Sequence, residues 1–121
     1  MLNLNHKNLD VWKKNLDIVS EIYKLTNCFP KEELFVLTYQ LRKAAISIPS
    51  NISEGFARIS EPETRRFLDI ARSSLVEIDT QIDISLLLKY LTEDQLKKLS
   101  EFANHEFAML TNLIKKYTNK R

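Results

Sequence analysis

An all-α, up-down-up-down bundle of four helices is the fold this sequence predicts, and three observations predict it. The 121 residues hold one Gly and three Pro, too few corner residues for a turn-rich sandwich or barrel and too few glycines for a phosphate-cradling loop. Apolar residues recur at alternating spacings of three and four along most of the chain, the period of an amphipathic helix. No run of alternating polarity around a short turn reads as a β-hairpin. Hydrophobic residues make up 44% and charged residues 28%, proportions that exclude a disordered chain. The length suits one domain over residues 1–121.

The first helix is expected over about 9–27. Trp12, Leu16, Val19 and Tyr23 form one apolar row and Ile18, Ile22 and Leu25 an adjoining one. Asn8 is the expected cap, because a short polar side chain can accept from the free N–H groups of the first turn. Pro30 bars continuation past Phe29. The second helix is expected over about 31–59. Lys31, Glu32 and Glu33 open it, with the acids where a helix N-terminus favours negative charge, and Leu34, Leu37, Leu41, Ala44 and Ile48 form its stripe.

Pro49 removes a donor within that segment. Ile52, Gly55 and Phe56 nevertheless keep phase with Ala45 and Ile48, so one long proline-kinked helix is preferred. The alternative is a fresh half-helix capped by Ser50 or Asn51. The third helix is expected over about 61–90 and opens with a capping box at Ser60-Glu61-Pro62-Glu63. Its seam is Leu68, Ala71, Leu75, Ile78, Ile82 and Ser85. A second box at Thr92-Glu93-Asp94-Gln95, with a staple between Leu91 and Leu96, opens the fourth helix over about 93–118. Leu96, Leu99, Ala103, Phe107, Leu110, Ile114 and Tyr117 line that helix, and Lys115, Lys116, Lys120 and Arg121 make a basic, solvated end.

Eighteen basic residues against sixteen acidic ones leave a net charge of +2, short of the strong excess of a dedicated nucleic-acid module. The polar segment from Met1 to Asp10 lacks the apolar core of a signal peptide. No stretch approaches the roughly 20 apolar residues of a membrane span. One Cys allows no internal disulfide and no thiolate cluster. A cytoplasmic protein with no membrane partner is therefore expected.

Catalytic chemistry finds no frame in the sequence. His6 and His105 belong to no Glu-x-x-His pair, and Glu101, His105 and Glu106 read as solvated residues of helix four. Cys28 sits in a turn without a His or a basic neighbour in sequence and reads as a buried or idle thiol. The serines lack a G-x-S-x-G elbow or an S-x-x-K frame. No enzyme activity, metal, cofactor or small-molecule substrate is expected.

Three side-chain groupings remain. Gln40, Ser47, Asn51, Glu54 and Arg58 form a polar row along helix two, read either as solvated surface or as a buried or inter-subunit network. The apolar stripes of helices one and two are wider than one seam, which leaves Trp12 as a candidate for an oligomer interface. Arg42, Lys43, Arg58, Arg65, Arg66 and Arg72 are candidate nucleic-acid-binding residues, expected to converge near the turn between helices two and three. Glu61, Glu63 and Asp69 are interleaved with them. In a single copy these acids favour ion pairs, whereas repetition around a ring sums the field of the arginines.

The run Leu37-Thr38-Tyr39-Gln40-Leu41-Arg42-Lys43-Ala44-Ala45-Ile46-Ser47-Ile48-Pro49-Ser50-Asn51-Ile52-Ser53-Glu54-Gly55, followed by Arg58, resembles the signature of the small proteins encoded in intervening sequences of bacterial 23S rRNA genes. Leu9-Asp10-Val11-Trp12, Phe29-Pro30 and Phe67-Leu68-Asp69-Ile70-Ala71-Arg72-Ser73-Ser74-Leu75-Val76-Glu77 extend the likeness over nearly the whole chain. Lys43 stands where many members have Arg, and Ser53 where Ala is common. The resemblance implies a helical bundle, a homo-oligomer that is a five-fold ring, a role in RNA binding and no catalysis. A more distant likeness, of fold alone, joins it to the accessory protein of diversity-generating retroelements. The function expected is a non-enzymatic homo-oligomer that binds structured RNA. The alternative is a ring-shaped protein scaffold that never touches nucleic acid.

Overall fold

The computed structural model describes residues 1–118 and is all-helical there, with no strand. Helix α1 spans Asp10–Thr26, α2 Leu37–Ala57, α3 Glu61–Leu87 and α4 Lys97–Thr118. Three short 3₁₀ turns, Asn5–Asn8, Lys31–Glu33 and Glu93–Leu96, stand before α1, α2 and α4. Lys120 and Arg121 of the expected basic end lie outside the described residues.

The helices pack as neighbours in chain order, and α4 closes the bundle against α1. Side-chain contacts show that α1 and α2, and α2 and α3, run antiparallel. Trp12 reaches Ser53 while Arg42 reaches Thr26, and Thr64 reaches Gly55 while Ser47 reaches Ser74. Ile18, Ile22, Leu41, Ile48, Ile52, Leu68, Ile78 and Leu110 are fully buried along the axis. Each such side chain contributes about 1.5–3 kcal/mol by leaving water.

Pro49 lies inside α2, which runs unbroken from Leu37 to Ala57. Its ring has no hydrogen for the carbonyl of Ala45, but the flanking Ile48 and Ile52 are fully buried and hold the turn in place. Asn51 is no fresh cap, because its amide donates to the Ser47 carbonyl at 2.7 Å.

Several boundaries differ from the sequence expectation. The first helix is not capped by Asn8, which ends a 3₁₀ turn; Leu9 holds the cap position with no side-chain bond. The second helix starts at Leu37 and not at 31. Glu33 turns its carboxylate back to accept from the Leu37 N–H at 3.4 Å and from the Tyr90 hydroxyl at 2.8 Å. That carboxylate satisfies an orphan donor from outside the helix, and Leu34, Phe35 and Val36 are left as an exposed turn. Arg58 is extended, so α2 also stops short of 59.

The third helix stops at Leu87 and not at 90. Lys89 takes a left-handed φ of 63°, while Tyr90 N–H bonds the Ser85 carbonyl and Lys89 N–H that of Leu86. These are the two bonds of a Schellman ending, here built on a lysine where glycine is usual. The expected capping box at Thr92 and Gln95 is present, but it opens the 3₁₀ turn that leads into α4.

Half of the capping box expected on α3 is present: Ser60 Oγ accepts from Glu63 N–H at 3.2 Å, while the Glu63 carboxylate, expected to reach back to Ser60, turns to Arg66 at 3.2 Å. Ser60→Ala should lower stability by about 1 kcal/mol, read as a shift of the urea midpoint. Ser60→Gly should recover most of it. Equal midpoints for Ala and wild type would show that the α2–α3 contacts alone hold this end of the helix.

The N-terminal segment is part of the bundle. His6 is buried, stacked on Phe56 and edge-on to Trp12. The reading of His6 as a residue of a polar tail is therefore corrected: aromatic neighbours from α1 and α2 draw it in. Helix α4 brings a larger correction. Glu106, read as solvated, is fully buried and accepts a hydrogen bond from Asn15 Nδ2 of α1. His105 and Glu101 are exposed, and so is Cys28, whose free thiol is not buried.

Candidate nucleic-acid interface

The short connection Arg58-Ile59-Ser60 turns the chain from α2 into α3 and brings three arginines to one corner. Arg58 ends α2, and Arg65 and Arg66 lie in the first two turns of α3. Phe67 is half-buried beneath them. The guanidinium carbons of Arg58 and Arg66 stand 4.8 Å and 4.6 Å from its ring centre, within cation–π range.

The same two arginines meet acids on their own helices, Arg58 with Glu54 at 3.3 Å and Arg66 with Glu63 at 3.2 Å. Both pairs are solvent-exposed, where such contacts are worth about 0–1 kcal/mol, so they orient the side chains without locking them. Arg65 is exposed and forms no ion pair among the described residues. The corner presents guanidinium planes pre-stacked on an aromatic ring, a surface able to meet phosphates with paired hydrogen bonds and bases with stacking.

The other three basic candidates stand elsewhere, so the six do not form one patch. Arg42 lies at the opposite end of α2. It gives Nε to Thr26 Oγ1 at 2.9 Å and Nη2 to Asn27 Oδ1 at 3.1 Å, and it stacks on Tyr23. It holds the end of α1 against α2. Lys43 is exposed, over the ring of Tyr39 at 5.8 Å. Arg72 points across to α4, where it stacks on Phe107 and donates to Thr111 Oγ1 at 2.8 Å.

The polar row of α2 splits in the same way. Ser47 and Asn51 form a half-buried network with Ser74 of α3, through contacts of 2.8 and 2.9 Å. Glu54 belongs to the arginine corner, and Gln40 is exposed. Trp12 is engaged within the chain and donates Nε1 to Ser53 Oγ at 2.9 Å. Ser53 has one hydrogen of its own, which can pass to His6 Nε2 at 3.0 Å only if that nitrogen is bare. Burial, with Lys7 nearby, lowers the His6 pKa and so favours the neutral ring.

Sequence reasoning did not find the Asn15–Glu106 pair or the role of Phe67 as a platform. Asn15 carries no signal in the sequence: it lies between the two apolar rows of the first helix as one polar residue among several. The alternation of Arg58, Arg65, Arg66 and Phe67 is visible in the sequence, but only the fold puts residue 58 over residue 67. Among the described residues no group of three His, Cys, Asp or Glu side chains is placed to hold a metal ion. No helix among them is long and apolar enough to cross a membrane.

The fold and this corner define an all-helical four-helix bundle with an aromatic-backed basic turn. The chain belongs to the 23S rRNA-intervening sequence protein family, whose pattern matches residues 7–112. Its fold is shared by the crystal structure of a protein with unknown function from the S23 ribosomal protein family of Bacteroides thetaiotaomicron VPI-5482. The two are 24% identical, with 87% of this chain and 95% of that chain covered and a TM-score of 0.79. No curated protein matches the sequence at a significant level.

Proposed function

We propose that the protein is a non-enzymatic homo-oligomer that binds structured RNA, rRNA or its intervening segment, through copies of the Arg58, Arg65 and Arg66 corner. The observation that carries this reading is the pair of guanidiniums stacked on Phe67 beside the exposed Arg65. Membership of a family named for 23S rRNA supports it. A five-fold ring repeats the corner and multiplies its weak single-copy field. Self-association is supported by Leu16, Tyr23, Tyr39 and Ile46, large apolar side chains left 37–49% exposed on α1 and α2. The exposed single thiol suits a reducing cytoplasm.

Light scattering of the purified protein with and without a 23S rRNA fragment, at low and physiological salt, tests the reading. Wild type should be an oligomer that takes up RNA. Replacing Arg58, Arg65 and Arg66 together by Ala should weaken binding at least about tenfold and flatten its salt dependence, by about one unit of slope for each phosphate that is no longer held. Helicity should not change. A second reading, a protein scaffold without nucleic-acid contact, is favoured by the Glu54 and Glu63 partners of the arginines. An oligomer that ignores RNA at both salt concentrations would establish it.

A further inference from the structure

A long cleft runs between α3 and α4 on a side of the bundle that the arginine corner does not use. Its volume is about 910 Å³, near the upper end for ligand pockets. The floor is apolar: Leu75, Ile82 and Leu99 are buried beneath the half-buried Leu86, Ala103 and Phe107.

The rim has the opposite character. Asp79 and Asp83 stand one turn apart on the α3 edge, and Glu93, Asp94 and Glu101 follow the other edge. Against these five carboxylates the lining offers one ammonium, that of Lys97, which is 3.7 Å from Asp94. Asp79, Asp83, Glu93 and Glu101 form no ion pair among the described residues. The nearest guanidinium, on Arg72, sits over Phe107 outside the lining and is already held by Thr111. In a chain of net charge +2, this is a local reversal of sign over an apolar trough.

We infer that the α3–α4 cleft is a docking groove for a basic amphipathic helix of a partner protein. Such a helix lays apolar residues at i, i+3 or i+4 and i+7 onto the floor, and its flanking Lys or Arg side chains meet the two acidic edges. From Asp94 to Asn104 the edge is about 15 Å long at 1.5 Å per residue, enough for two to three turns of the incoming helix. Nucleic acid is excluded here by the sign of the rim, so this surface and the arginine corner accept partners of opposite charge. Charge on the rim governs encounter and choice of partner, and the floor governs residence.

The test uses the full chain and a fluorescein-labelled synthetic helix of about fourteen residues, with Leu at the i, i+3/i+4, i+7 positions and Lys on both flanks. Anisotropy should show saturable binding that weakens as salt is raised. A matched peptide with Glu for Lys should bind at least about tenfold more weakly, as should one with Ser for Leu. The variant Asp79→Asn, Asp83→Asn, Glu101→Gln changes only exposed side chains. It should keep its helicity and bind the Lys peptide about tenfold more weakly, with RNA uptake undiminished.

Equal binding of the Lys and Glu peptides would overturn the proposal, as would an unchanged affinity of the rim variant. If the rim variant alone changed its subunit number by light scattering, the groove would belong to a second copy of this chain, and that too would overturn it. The RNA reading rests on a different corner and stands or falls separately.

Discussion

Glu106→Gln should make the protein more stable than wild type at pH 8, by on the order of 4 kcal/mol, and leave the two nearly equal below pH 4.5. Glu106 is fully buried, and its pKa is pushed up to about 8 from 4.5. Burial drives the rise, opposed by the Asn15 amide and by the charge of Lys14. In the unfolded chain the same carboxyl ionises near its ordinary value. From about pH 4.5 upward the unfolded state therefore sheds a proton that the folded state keeps, and stability falls by up to 1.36 kcal/mol per pH unit until about pH 8.

Gln has nearly the shape of the protonated acid and can accept the same Asn15 bond, but it never ionises. Urea midpoints for both proteins between pH 4 and 9 measure the effect. Parallel curves would mean that Glu106 ionises in the bundle at its ordinary value, against what its Oε1 atom, buried without a hydrogen bond, implies. A double variant with Leu at positions 15 and 106 should be at least as stable as wild type at pH 8, since exchanging both members of a buried polar pair is far milder than removing one.

Gly55→Val should destabilise the bundle by about 3 kcal/mol, whereas Gly55→Ala should be close to neutral. A Cβ at position 55 would stand 3.1 Å from the Thr64 carbonyl oxygen and 3.2 Å from Phe67 Cβ. For Ala that crowding offsets a gain in helix propensity of about 1 kcal/mol. The two further methyls of Val have no room between α2 and α3. They push the helices apart and strain the bond from Thr64 Oγ1 to the Gly55 carbonyl, now 2.9 Å. Thermal melts of the three proteins would show the order. A Val variant that melts with wild type would mean that α3 can shift at this crossing at no cost. Because Phe67 also carries the arginines, the Val variant should also weaken the RNA binding proposed for that corner.

These two positions show unequal legibility. The only glycine, in the middle of an amphipathic helix, reads in the sequence either as a close backbone approach or as a residue that merely loosens the helix, and the α2–α3 crossing decides for the first. Glu106 leaves no such trace. A charged residue beside His105 in a helix with other acids looks solvated, and nothing in the sequence singles out Asn15. Their partnership spans α1 and α4, and only its geometry makes two polar residues acceptable in the core. His6 is hidden for a related reason. Two of its neighbours, Ser53 and Phe56, are distant in sequence, and no local pattern draws a polar N-terminal segment inward.

Helix ends divide in the same way. The single Ser60 cap bond and the Thr92 box are made within four residues and can be read directly. The start of α2 depends on Glu33, tied to Tyr90 from the far end of α3, and the end of α3 uses Lys89 where a glycine would have announced it. For the arginine group, composition is visible in the sequence but placement is not. Arg58, Arg65 and Arg66 meet over Phe67 because a three-residue turn folds α3 back on α2. Arg42 and Arg72 are drawn away by Tyr23 and Phe107.

Periodicity, caps and the scarcity of Gly and Pro were enough to determine four helices, their order and most of their core faces, because each of those features is local and depends on side-chain direction along one helix. Which polar residues are buried, which arginines share a corner and where acids gather over an apolar groove were decided by the tertiary structure alone. Those properties arise where two helices meet, and the energy of a charge or a hydrogen bond is set by the atoms that surround it in space.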